Sequence, residues 1–195
     1  IAAWNTQPEG TWGIIALMES ATLTEDLVGA LAISLPAGSH LLIVAADWLA
    51  DDDAPDQRTP GAIVPIGLRP HLRGAIEIVG TAAADALNPG EVRFDGLLIE
   101  GTLSVLEGNL GALALSHTTV VPGGAPLTVQ GGPAAGTRNE TLRLTLTRAI
   151  LPGIDLAATT ASTRIVDSIV DGNIAASALD IESSTVLGIT AAESL

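Results

Sequence analysis

The chain has 195 residues, 47% of them hydrophobic, with a mean hydropathy of +0.45, enough apolar material to bury a core as one domain and too much for a disordered chain. Its 22 acids stand against 8 bases, all of them Arg, and the formal net charge of −14 excludes phosphate backbones and anionic membrane surfaces as partners while leaving cations and hydrogen-bonding surfaces such as glycans. With no Cys there is neither a disulfide framework nor a thiolate metal site, and the compartment stays undetermined.

Aromatic residues are only 2% of the chain, so the apolar content is Ala, Leu, Ile and Val, punctuated by 21 Gly and 11 Pro. That composition suits short strands and turns. In chain order the first half gives strands at Gly13 to Met18, Ala30 to Leu35, Leu41 to Ala46, Ala75 to Gly80 and Glu91 to Phe94. The hydrophobic stretch from Leu27 to Ala46 is broken at Pro36 to His40, which excludes a membrane span. The start at Ile1, with no basic segment, implies a signal peptide removed or never present. "DDDAPDQRTPG", Asp51 to Gly61, reads as a polar loop leaving the body, and Thr81 to Leu87 as one or two helical turns.

The second half carries a repeat. "FDGLLIEG", "SHTTVVPG", "LTRAILPG", "IVDSIVDG" and "IESSTVLG" align on Gly101, Gly123, Gly153, Gly172 and Gly188, at intervals of 22, 30, 19 and 16 residues. The longest interval holds a turn-rich insertion, 131–138. Two core-type positions precede each glycine: Leu98-Ile99, Val120-Val121, Ile150-Leu151, Ile169-Val170 and Thr185-Val186. Before them runs a column of small residues, Thr119, Ala149, Ser168 and Ser184, where only Leu97 is large. A second strand follows each glycine, at Thr102 to Leu106, Leu127 to Gln130, Ile154 to Ala157, Asn173 to Ala176 and Ile189 to Ala192. Two strands and a glycine corner per coil predict an all-β, single-stranded parallel β-helix, with early coils over 11–89 and regular coils over 90–195. An open solenoid end exposes core and strand edges, so the coil at the C-terminal "TAAESL" is expected to be covered by further chain or another copy.

The run from Ala21 to Trp48, "ATLTEDL...AISLPAGSHLLIVAADW", together with "GEVRFDGLLIEG" and "DSIVDG", resembles the pectin-lyase-like right-handed parallel β-helix proteins. Within them it is most similar to bacterial β-helix proteins of unassigned function, some encoded near phage-tail-like genes. The resemblance implies a right-handed helix and a bacterial setting, secreted or within a larger assembly. It does not choose an activity, because the family spans lyases, glycoside hydrolases, esterases, tailspikes and adhesins. The esterase pattern around a "D-F-I-F-G" strand is absent, as is the Asp-rich calcium and Arg constellation of pectate lyases.

The repeat register places Arg148 beside Asp167 on adjacent coils and Asp171 in one column with Glu100. For glycoside hydrolysis, which needs two carboxylates about 5 to 9.5 Å apart, the candidates are Asp167, Asp171, Asp180 and Glu182, with Arg148 or Arg164 binding an anionic sugar. The simpler reading, solvated acids and a surface ion pair, is preferred because hydrolase clusters sit in grooves with aromatic stacking platforms and those are missing here: the only aromatics are Trp4, Trp12, Trp48 and Phe94, three of them in the N-terminal quarter. Asp51, Asp52 and Asp53, with Asp56 nearby, are a calcium candidate on a loop lacking the EF-hand glycine and glutamate, so a solvated tip is preferred. The scattered His40, His71 and His117 do not suggest zinc, and Asn139-Glu140-Thr141 matches a glycosylation sequon on a loop read as exposed. The sequence thus predicts a non-catalytic structural or binding solenoid without cofactor, with a glycan, a protein or end-to-end self-association as its contacts. A polysaccharide lyase or hydrolase is the rival, and an engineered or trimmed scaffold, suggested by the lack of Cys and Lys and the abrupt ends, is the third reading.

Overall fold

The computed structural model describes residues 1–50, 54, 57–64, 67–156, 161–188 and 190–192. Among these the chain is all-β, with no α-helix and one short 3-10 turn at Gly29–Leu31. Three seven-stranded parallel sheets, A, B and C, run the length of the molecule, and each coil contributes one strand to A, then B, then C. Coil one supplies Trp12–Leu17, Thr22–Thr24 and Ile33–Leu35. Sheet A continues through His40–Ala45, Gly90–Asp95, Leu110–Ser116, Arg143–Thr147, Ser162–Val166 and Ala178–Glu182. A fourth, two-stranded antiparallel sheet, Asp47–Ala50 with Arg58–Val64, leaves the stack within coil two.

The core is a set of columns, because the parallel register puts equivalent residues about 4.8 Å apart. Phe94, Leu115, Leu146 and Ile165 form one column of sheet A, and Ile99, Val120, Leu151 and Val170 one of sheet B. All eight are buried. Alternation sets the faces: in Gly90–Asp95, Val92 and Phe94 point inward while Glu91, Arg93 and Asp95 face solvent.

Each coil holds three strands, where the sequence suggests two. From coil three onward the chain passes from sheet A to sheet B through a single left-handed residue, at φ 78° for Gly96, 48° for His117, 51° for Arg148, 49° for Asp167 and 48° for Ser183. Only the first is glycine, so in the other coils two strands run together in sequence without turn composition. The residue after this corner points inward as Leu97, Thr118, Ala149, Ser168 and Ser184. Its hydroxyls form a ladder: Ser184 Oγ accepts from Ser168 N (3.0 Å), and Ser168 Oγ accepts from Ala149 N (3.1 Å) while donating to Val166 O (2.7 Å). The small-residue column therefore satisfies corner amides that the turn takes out of the strand ladder.

That column contains Thr118 rather than Thr119. Leu98 pairs with Thr119 and Ile99 with Val120, one residue earlier than alignment on Gly123 suggests, because Pro122, rather than Gly123, extends the column of Gly101 and Gly153. Elsewhere the expected sheet-B register holds, with Ile150 on Ile169 and Ile169 on Thr185. The expected loop 51–61 becomes strand at Arg58, its apolar continuation to Val64 pairing with Asp47–Ala50. Thr81 to Leu87 forms no helix; one turn closes by Ala86 N to Ala83 O (3.0 Å), with too few residues for a helical nucleus. Asn139, read as exposed, is fully buried at φ 50°, donating to Leu106 O and Gln130 O (both 2.9 Å) and accepting from Leu110 N (3.1 Å).

The N-terminal end of sheet C is closed by side chains. Asn5 donates to Ala32 O (2.7 Å) and accepts from Ser34 N (3.1 Å), taking the place of a neighbouring strand, and Trp4 Nε1 donates to Ser34 O (2.7 Å). The Trp4 ring lies over Gly13, where an added Cβ would come within 2.6 Å of it.

Candidate functional site

The outer face of sheet A carries the most differentiated chemistry. One of its outward columns reads Trp12, His40, Glu91, Ala112, Arg143, Ser162 and Ala178. Trp12 is 77% exposed and stacks on His40 with ring centroids 4.1 Å apart and planes 29° apart. His40 Nδ1 lies 3.3 Å from Glu91 Oε2, and Arg143 Nη2 lies 3.0 Å from Glu91 Oε1. Glu91 and Arg143 stand two coils apart, about 9.6 Å along the stack. They meet because the intervening residue is Ala112, whose methyl leaves room for the arginine to lie across it.

Two shallow recesses share this cluster. One, of about 560 Å³, runs over Trp12, Ile14, Leu42, Arg93, Ala112 and Ala114; the other, of about 370 Å³, is bounded by Asn88, Pro89, Gly111, Thr141 and Leu87, which is 95% exposed. His40 and Glu91 border both. The surface thus offers a flat aromatic platform, carboxylate acceptors, guanidinium and amide donors and a floor of small side chains. Such a set stacks on and hydrogen-bonds to a polyhydroxylated ring. Further along the face, Asp95 accepts from Arg93 Nη2 (2.9 Å) and lies 3.0 Å from His117 Nδ1.

The carboxylates singled out from the repeat fall into three separate places. Arg164 reaches both Asp180 (2.6 Å) and Glu182 (2.9 Å) on the outer face of sheet A, all three more than half exposed. Arg148 and Asp167 lie on adjacent corner positions, with Nε and Oδ2 3.9 Å apart. Asp171 follows the sheet-B strand Ile169–Val170 of its coil, its N–H bonded to Leu151 O (2.7 Å). Glu100 lies three coils from it, about 14 Å along the stack, and Asp167 lies at the corner four residues before it, across the strand Ile169–Val170. Asp51, Asp52, Asp53 and Asp56 lie outside the described residues. Among the described residues no group of three or more His, Asp or Glu is arranged to hold a metal ion, and no helix is long and apolar enough to cross a membrane.

Sequence reasoning gives strands at Gly13, Leu41 and Glu91 but does not align them with one another or with Arg143, because the repeat is registered on the glycines that follow sheet B and the intervals between the early strands are irregular. Alternation in "GEVRFD", "LGALALS", "RLTLT" and "STRIV" is the signal that aligns them. Compared with protein-family models, with curated proteins and with solved structures, the chain finds no match.

Proposed function

We propose that the chain is a non-catalytic binding module, built as a right-handed parallel β-helix of the pectin-lyase-like kind, whose sheet-A face holds a neutral glycan. The right hand follows from the general rule that crossovers joining parallel strands of one sheet wind that way in about 98% of cases. The observation that carries the functional reading is the exposed Trp12–His40 stack beside the Glu91–Arg143 bridge, over an alanine floor. A rigid stack fixes this platform before a ligand arrives, so binding orders few side chains. The charge of −14, and the engagement of Arg143 by Glu91, support a neutral sugar over an acidic one. Hydrolysis needs one carboxyl free to donate a proton and a second free to act as base or nucleophile. Asp180 and Glu182 share one strand face, but Arg164 bonds both, and this supports binding over turnover.

The test is calorimetric titration with neutral oligosaccharides, run beside reducing-sugar and unsaturated-product assays. Trp12→Ala is expected to weaken binding roughly tenfold, the value of a lost aromatic contact of about 1.4 kcal/mol. Turnover abolished by Asp167→Ala or Asp171→Ala would replace this reading with an enzyme.

A further inference from the structure

The two ends of sheet C and sheet A at coil one are treated differently by the fold. Asn5 and Trp4 close the sheet-C edge, whereas Trp12–Leu17 is the outermost strand of sheet A with no described strand beyond it. His40 N bonds Thr11 O and Ala46 N bonds Leu17 O, so the odd-numbered residues face the next strand. By alternation the N–H and C=O groups of Trp12, Ile14 and Ala16 point away from the stack. Proteins usually blunt such an edge with charge, proline or a bulge. This one reads "WGIIAL" and has none of them.

Directly inside the same edge lies an apolar pocket of about 160 Å³, lined by Ile15, Leu17, Leu23, Leu27, Ile43 and Leu72. Ile1 and Glu25 complete its lining, and a cavity of that size takes a benzene-sized group, the bulk of one Leu, Ile or Phe side chain. The charged residue at its lining is Glu25, the first fifty residues carry Glu9, Glu19, Glu25, Asp26 and Asp47 without one Arg or Lys, and the neighbouring Arg73 is engaged by Glu100. A second copy stacked end to end fits poorly, because the closed sheet-C edge stops a three-sheet continuation.

From the open edge, the pocket beside it and the acidic surround, we propose that Trp12–Leu17 is a strand-addition site. It takes one extended segment of another protein, with apolar residues at alternate positions and basic residues at its ends. The segment continues sheet A, the ladder that six strands already extend, and one alternate side chain fills the pocket. Main-chain bonds supply affinity in this mode and the pocket supplies choice. The site shares the strand Trp12–Leu17 with the sugar platform but uses its outward backbone groups and the inner pocket rather than the Trp12 ring face.

The probe is a fluorescein-labelled peptide of alternating Leu and Thr with Arg at both ends, titrated into the full chain by anisotropy; a version with central Pro is the control. Saturable binding is expected, with hydrogen-exchange protection gained at Trp12, Ile14 and Ala16. Ile14→Pro removes one outward N–H while leaving the bonds to His40–Ala45, and about tenfold weaker binding is expected. Leu23→Phe, which fills the pocket and keeps the edge intact, is expected to weaken the Leu peptide more than one with Ala in its place. Absence of binding at about 1 mM peptide, equal binding of the Pro control, or protection appearing with rising protein concentration alone would overturn the proposal, the last in favour of self-association.

Discussion

Thr163 stands in the inward column of sheet A between Leu144 and Leu179, 3% exposed, and its hydroxyl has no hydrogen-bond partner. An unpaired buried hydroxyl costs about 1–3 kcal/mol, whereas replacing it by an apolar group of the same shape removes that cost. Thr163→Val keeps the branched shape, so it is expected to stabilise the chain by about 1–2 kcal/mol. For a domain of this size each kcal/mol moves Tm by about 2–4 °C, which gives a rise of about 2–8 °C. Ser168→Ala is the matched control, because that buried hydroxyl is bonded to Ala149 N and Val166 O. Its removal leaves Ala149 N unpaired, while Val166 O keeps the bond from Arg148 N (3.1 Å), and is expected to cost about 1–3 kcal/mol. Urea unfolding followed by circular dichroism and by tryptophan fluorescence measures both variants, and agreement of the two probes checks that a stack of nearest-neighbour coils unfolds as one unit. A Thr163→Val midpoint at or below that of the parent, at unchanged m, would refute the assignment of a dry, unpaired hydroxyl.

Other expectations follow from the caps and loops. Asn5→Asp keeps the acceptor toward Ser34 N but sets an oxygen against Ala32 O, and is expected to cost about 1–3 kcal/mol and expose Trp4, seen as a red shift in fluorescence. Gly13→Ala drives a methyl into the Trp4 ring and is expected to give the same red shift, with a loss of about 1–3 kcal/mol. Asn139→Ala breaks three hydrogen bonds at a left-handed residue, for a loss of about 3 kcal/mol in thermal unfolding. Arg164→Gln removes only exposed ion pairs and is expected to leave stability within about 1 kcal/mol and glycan affinity unchanged, by the same titration.

The stacking of the chain is legible in the sequence because sheet B ends and sheet C begins at residues with strong local signatures, glycine and the paired β-branched residues before it. The A-to-B corner is not, because His117, Arg148, Asp167 and Ser183 adopt the left-handed conformation through the surrounding ladder rather than by intrinsic preference. That corner conceals sheet A in the later coils, and without it the early strands at Gly13, Leu41 and Glu91 cannot be joined in one column to Arg143. Arg148 beside Asp167, by contrast, is readable, since both sit at a fixed offset from the glycines of their coils. The N-terminal cap is illegible for another reason: Asn5 and Trp4 act on residues 27 and 30 positions away, with no periodicity to announce it.

Binding of the unmodified chain, Trp12→Ala and Arg143→Ala to an array of neutral and acidic glycans tests the central claim most directly. The sheet-A platform predicts retention of neutral glycans by the unmodified chain and loss of the same signals in both variants, each folded by circular dichroism. Retention that survives both substitutions, or binding confined to acidic glycans, would contradict it.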